Sequence, residues 1–426
     1  MALRSAALVA GAFVVTACDV PAPRGSAGAT IPDSGTLTEA CGRGAVVVEQ
    51  PLEDYGSTNV GLVAWDGTVL APSIAGSSTS SVGLTAPLSG DVVPPTALVT
   101  GPEIVLIDRN RAASKIVWVN VQTAARRELS VAPGGFYANP HDYVALSETK
   151  AYVTRFGSNP APGAAPLDTG SDVVVVDPSV PKLVASISMT SSLGDDAAVA
   201  LPRPDRIVVA NGRAYVLLGA LARGFTSTVP SRLAVVDTAR DAVTGSLVLS
   251  TYRNCAGLAL APSGKRLSVL CSGTIAQTSA SDLADSGVVV VDVSVDPPKI
   301  EKTIDASTLG AGPVGFYGDH ASDSVLLVQT FGYRTDVPTP DADDTVQALD
   351  VETGATTSLL RSGGTPFSLG GIVCASACGT CFVADAARAG GILHRFTGWS
   401  ERTPEEQDAV KVETDPAYPP ETLGRF

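Results

Sequence analysis

An all-β body, built from one four-strand unit repeated around a ring, is what this sequence predicts, on three observations. The first is a recurring apolar run closed by Asp: VVVVD at 173–177, LAVVD at 233–237, VVVVD at 288–292 and, more weakly, VQALD at 346–350. Each is followed by a tight turn and another β-rich stretch, starting at Lys182, Ala242, Lys299 and Ala355. Second, hairpins precede these runs, starting at Asp142, Arg206, Cys255 and Val314, with a further one at Ser368. Third, the unit recurs at about 50 residues and leaves no room for helices, which is the pattern of propeller blades that must close on one another. IVLIDR and KIVWVNV at 104–121 belong to an earlier blade, and the stretch at 59–74 starts the first. The count is seven, with eight as the alternative because the second half of the first blade is poorly marked.

Composition agrees with a globular body. The chain has 426 residues, 45% hydrophobic and 17% charged, enough to bury a large core. A net charge of −14 argues against nucleic acid as a partner. Three His, at positions 141, 320 and 394, nearly exclude a His-based metal cluster.

Taken from the N-terminus, Met1 to Arg4 carries one positive charge and Ser5 to Ala17 is uncharged and mostly apolar. That stretch is too short to span a bilayer and reads as a signal peptide over 1–17. Val15-Thr16-Ala17-Cys18 resembles the bacterial lipobox, which implies acylation of Cys18 and a membrane anchor at the mature N-terminus. Asp19 leaves the choice between inner and outer membrane open. Residues 18–40, rich in Pro, Gly and Ala, read as a flexible stalk. The ring is then expected over 41–414, with 415–426 as a C-terminal tail.

Within the hairpins, Lys150-AYVT-Arg155 followed by a loop and VVVVD resembles the YVTN-type propeller repeat, and APSGK at 261–265 resembles its first turn. Arg155 stands where that repeat usually has Asn. The resemblance covers about 95–390; it implies seven blades and an extracytoplasmic setting, and no particular reaction.

In such a blade the first and third turns share one face of the disc, and they are short here. The second connections, at 156–171, 218–231, 272–287 and 331–344, are long and lie on the other face, together with the connection at 189–203. Long irregular segments gathered on one face nominate it as the interaction surface. Inner strands enter from that face, so His141-Asp142 and Asp205-Arg206 fall at the channel mouth, where they either hold a small polar ligand or pair with each other.

Six Cys remain beside Cys18, an even set that reads as disulfides in an exported protein. Cys255 and Cys271 are symmetric about Ser263 and should face each other across a hairpin. Cys374, Cys378 and Cys381 are one too many to pair among themselves, so Cys41 should join one of them when the ring brings the chain ends together. The C-x3-C-x2-C spacing also matches iron–sulfur loops, but it lies in a hairpin, without the α/β context those loops need. Asp341, Asp343 and Asp344 are weak Ca²⁺ candidates that lack EF-hand spacing. No nucleophile elbow, P-loop or haem site occurs, and no catalytic residue, metal or cofactor is assigned.

Function therefore reads as a lipid-anchored cell-envelope binding or scaffold protein with a monomeric body. Its partner would be a protein or an envelope polymer, met on the loop-rich face. The alternative is a lyase- or lactonase-like enzyme at the channel mouth, with His141 as general base.

Overall fold

The computed structural model describes residues 41–51, 56–78, 83–274, 280–310, 312–332, 343–365, 367–386, 391–399, 404–412 and 418–426. Cys18 and Asp341 lie outside them, as do the segments read as signal peptide and stalk. In chain order the strands are β1 (Gly44–Glu49), β2 (Asn59–Ala64) and β3 (Val69–Gly76), followed by β4 (Val92–Val93), β5 (Glu103–Asp108), β6 (Lys115–Asn120) and β7 (Arg126–Ser130). Then come β8 (Pro140–Ser147), β9 (Lys150–Ser158), β10 (Gly170–Asp177) and β11 (Lys182–Ser188), and β12 (Pro204–Ala210), β13 (Arg213–Leu218), β14 (Arg232–Asp237) and β15 (Ala242–Val248). The ring continues through β16 (Cys255–Leu260), β17 (Arg266–Cys271), β18 (Gly287–Asp292) and β19 (Lys299–Asp305), and β20 (Val314–His320), β21 (Val325–Thr330), β22 (Thr345–Asp350) and β23 (Thr356–Arg361). The last are β24 (Leu369–Ala375), β25 (Thr380–Asp385), β26 (Ile392–Thr397), β27 (Glu405–Val410) and β28 (Pro420–Arg425).

These strands form seven four-stranded antiparallel sheets, a seven-bladed β-propeller. Blade 1 is β28-β1-β2-β3; blades 2 to 7 are each four consecutive strands from β4 onward. The eight-blade alternative is thereby excluded. The stretch at 59–74 is the outer half of blade 1, β2 and β3, rather than its first hairpin. The C-terminal segment is also corrected. Residues 420–425 are the innermost strand of blade 1, paired with β1 at Ala45–Arg425 and Val47–Leu423, and not a tail. A lone strand carrying Gly and charged ends has no neighbour in sequence to mark it, because its partner lies at the other end of the chain.

The aliphatic runs are third strands. β10, β14 and β18 lie between other strands and between neighbouring blades, so they are buried along almost their whole length. That is why they read as continuous Val runs instead of alternating. The closing Asp has a different cause. Asp177 accepts the Ser179 N–H at 3.0 Å, Asp237 that of Ala239 at 2.9 Å and Asp292 that of Ser294 at 2.9 Å. Each carboxylate thus opens the turn into the outer strand. Those turn bonds hold all three carboxyls below their usual range, the Ser hydroxyls of 179 and 294 leading at Asp177 and Asp292 and the Arg240 N–H at Asp237.

Apolar side chains collect in seven clusters among the described residues, one in each gap between blades. Cys41, Val47, Phe382 and Leu393 join blades 7 and 1, so ring closure is itself a hydrophobic interface. Three disulfides form: Cys41–Cys378, Cys255–Cys271 and Cys374–Cys381. Cys255–Cys271 crosses its hairpin in register, and Cys41–Cys378 ties the first described residue to the first turn of blade 7. Six paired cysteines are the chemistry of an oxidising, non-cytoplasmic compartment.

Candidate functional site

The two faces of the disc differ in their backbone. On one, β8 passes to β9 through 148–149 and β12 to β13 through 211–212. On the other, 159–169 joins β9 to β10, 189–203 joins β11 to β12 and 219–231 joins β13 to β14. The latter surround the entry of the inner strands.

At that entry His141 Nδ1 sits 3.0 Å from Asp205 Oδ1, and Arg206 Nε lies 3.5 Å from the same oxygen. Burial pushes the Asp205 carboxyl up, but His141, Arg206 and Arg109 together hold it below its usual range. Asp142 points elsewhere. It accepts the N–H groups of Thr96 (2.9 Å), Tyr143 (2.8 Å) and Ile207 (2.9 Å), which stitches blades 2, 3 and 4 together. Burial raises its carboxyl. Of the four mouth residues read from sequence, then, three converge and Asp142 is an internal tie.

Three further charges belong to the mouth: Asp91 and Arg109, ion-paired at 2.5 Å, and Glu421 on β28, a carboxyl raised by burial against the pull of Arg109. Asp91 precedes the two-residue β4, and Glu421 lies in the strand read as a tail. Neither inner strand is recognisable in sequence, so neither residue could be placed there. Chemically most of the mouth is self-paired, since Asp91 faces Arg109 and Asp205 faces His141 and Arg206, while Glu421 is a buried carboxyl whose Oε2 has no hydrogen-bond partner among the described residues. Below the mouth, a narrow axial cavity of 310 Å³ is lined largely by backbone and aliphatic groups such as Val208, Gly257 and Leu258.

An open groove of 560 Å³ lies beside the mouth on the same face, between the connection at 133–139, the end of β9 with the residues after it to 164, and the connections carrying 201–203 and 223–225. Aromatic rings form a column into it. His141 stacks on Phe156 at 4.3 Å and Phe156 on Phe225 at 6.3 Å. The outermost ring, Phe225, is 50% exposed, and Tyr137 across the groove is 38% exposed. Both are large apolar groups left in water, the kind of surface that marks a contact site. The connection carrying Phe225 was legible by length, that carrying Tyr137 was not, and the rings themselves carried no motif.

The remaining candidates are structural in position. Asp344 is buried and accepts the N–H groups of Gly332 (3.1 Å) and Ser368 (2.8 Å), while Asp343 accepts that of Gly364 at 2.5 Å. No group of three or more His, Cys, Asp or Glu side chains fit to hold a metal occurs among the described residues. His320 bonds Ser268 at 3.0 Å, and His394 lies between Asp385 (3.0 Å) and Glu406 (2.7 Å), inside their blades. No helix among the described residues is long and apolar enough to cross a membrane.

No protein-family model and no curated protein matches the chain. Among solved structures it is similar to a putative 6-phosphogluconolactonase from Bacteroides fragilis NCTC 9343, at 9% identity and TM-score 0.54, over 92% of this chain and 99% of that one. A second putative 6-phosphogluconolactonase, from Bacteroides uniformis ATCC 8492, matches at 11% identity and TM-score 0.50, over 90% and 99%. At this identity the likeness shows the propeller fold alone.

Proposed function

We propose that this chain is a lipid-anchored cell-envelope propeller that binds a protein or an envelope polymer through its long-connection face. The observation that carries the reading is the open groove on that face, bordered by the exposed rings of Phe225 and Tyr137. Position supports it as well. The described chain enters the ring at Cys41, beside the first turn of blade 7 on the tight-turn face, so the chain's entry does not crowd the groove. Catalysis at the mouth has weaker support, because His141, Asp205, Arg206, Asp91 and Arg109 are taken up with one another and only Glu421 is left over among the described mouth residues. Lys265, exposed on a short turn of the opposite face, provides a control.

The test is a photo-crosslinking side chain placed at 225 or at 265 in the producing cell, with intact-mass analysis of the membrane-extracted protein. Adducts at 225 and none at 265, on a protein whose Cys18 carries lipid, are expected. Adducts at 265 alone, or an unmodified Cys18, would sink the corresponding half of the reading.

A further inference from the structure

Arg203 is a buried cation, 5% exposed, at the floor of the groove, on the connection leading into β12. Its Nη1 donates to the Phe156 carbonyl at 3.0 Å, and its guanidinium lies 4.4 Å from the Phe225 ring and 5.3 Å from the Phe156 ring. Among the described residues its Nε is buried without a hydrogen-bond partner, and no carboxylate is among the charges that act on it. Arg155, in the neighbouring blade, shows what that same edge of a guanidinium ordinarily holds. Its Nε and Nη2 grip the two oxygens of Asp172 at 2.7 and 2.6 Å.

The other charged groups lining the groove are Arg111 and Arg223, both exposed, and no Asp or Glu lines it. Three cations without an acid stand out on a body of charge −14. Burial, with Arg223 adding to it, pulls the Arg203 guanidinium below its usual value, the direction of a cation lacking a counter-ion. A guanidinium cannot shed its proton to escape that cost. Phe225 keeps a left-handed backbone, φ 63°, an expense for a bulky residue that sets its ring over the cation.

We propose that this groove binds a small organic carboxylate attached to a flat ring, the carboxylate on Arg203 and the ring against Phe225 and Tyr137. A guanidinium donor suits the carboxylate, which meets a fixed charge there. The rings supply stacking area, and the exposed arginines draw the anion in from solvent. A small anion fits better than a polyanion, which the acidic body repels at a distance. This site lies in the same groove on which the proposed function rests, but binding of a small anion there is measured without a macromolecular partner and fails or succeeds independently of one.

The test is fluorescence titration of the whole purified chain with 2-naphthoate, against 2-naphthalenemethanol and inorganic phosphate. Saturable binding of naphthoate, at least about tenfold weaker for Arg203→Gln and for the neutral alcohol, is the expected result. Phe225→Ala and Arg223→Glu, which change exposed side chains, should each weaken it about threefold with unaltered melting, and they decide the matter if Arg203→Gln does not fold. Equal affinity for acid and alcohol overturns the proposal. So does a folded Arg203→Gln that binds as the parent does, or phosphate displacing naphthoate at equal concentration.

Discussion

Arg155 and Arg203 lie in adjacent blades, both buried and both beside a phenylalanine ring, yet only one has an acid. Arg155 is fully enclosed, pairs with Asp172 and spends its third nitrogen on the Val131 carbonyl at 3.0 Å. Arg203 has rings and a single carbonyl. A buried charge with a complete set of partners belongs to the fold, whereas one without them is a cost that the fold retains for something outside itself. Glu49 adds the third case. It is fully buried, accepts from Asn59 at 2.6 Å, and one of its oxygens has no partner among the described residues. Burial pushes its carboxyl up to about 8, against the Asn59 bond. A carboxyl can take up a proton when it lacks a cation; a guanidinium has no such exit.

The contrast breaks most visibly at Asp172. Asp172→Ala leaves Arg155 charged and unpaired in the interior and should cost about 3–5 kcal/mol of stability in denaturant unfolding, with Arg155→Met recovering much of it in the double variant. An alanine variant as stable as the parent would show that the pair is not what secures this part of the blade.

Glu49 gives a smaller, pH-dependent effect. Its folded carboxyl binds protons more tightly than in the unfolded chain, so its stabilising contribution is intact below the unfolded value of 4.5 and is lost as pH rises through about 8. Glu49→Gln should flatten that loss, on the order of 2 kcal/mol, in melts taken from pH 5 to 9. An unchanged pH profile would mean that the carboxyl titrates normally.

Arg203 should give the least in stability. Arg203→Met removes an uncompensated charge and should leave unfolding within about 1 kcal/mol of the parent, or raise it. A loss as large as that of Asp172→Ala would place Arg203 with the structural pairs and sharpen the comparison against us.

The sequence disclosed this molecule unevenly, for physical reasons. Third strands between neighbouring blades had to be Val-rich and to end on a turn-opening Asp, so β10, β14 and β18 could be read directly. The Cys255–Cys271 pairing followed from hairpin symmetry. Inner strands were harder. β4 is only Val92–Val93 before Pro94 and Pro95, and β28 pairs with residues at the far end of the chain, so neither announces itself locally. With those strands went Asp91 and Glu421. His141, Asp205 and Arg206 were found because a Pro begins or precedes the strands that carry them. Arg203 and Phe225 lay in connections marked only as long; a missing counter-ion leaves no trace in the order of residues.

The Cys41–Cys378 bond also decides how the ring responds to being pulled. Any tension arriving along the chain that precedes Cys41 meets the body there, at the foot of β1, where backbone hydrogen bonds alone would be drawn apart one after another like a zip. The disulfide diverts that load into the first turn of blade 7, so two blades share it and β1 is spared peeling. β28 sits beyond this covalent loop, held to β1 by the strand pairing and by the Phe426 carbonyl, which accepts the Arg43 N–H. Under load in a reducing medium the clasp opens there first, and the resistance of the ring to shear falls to that of one edge of one sheet.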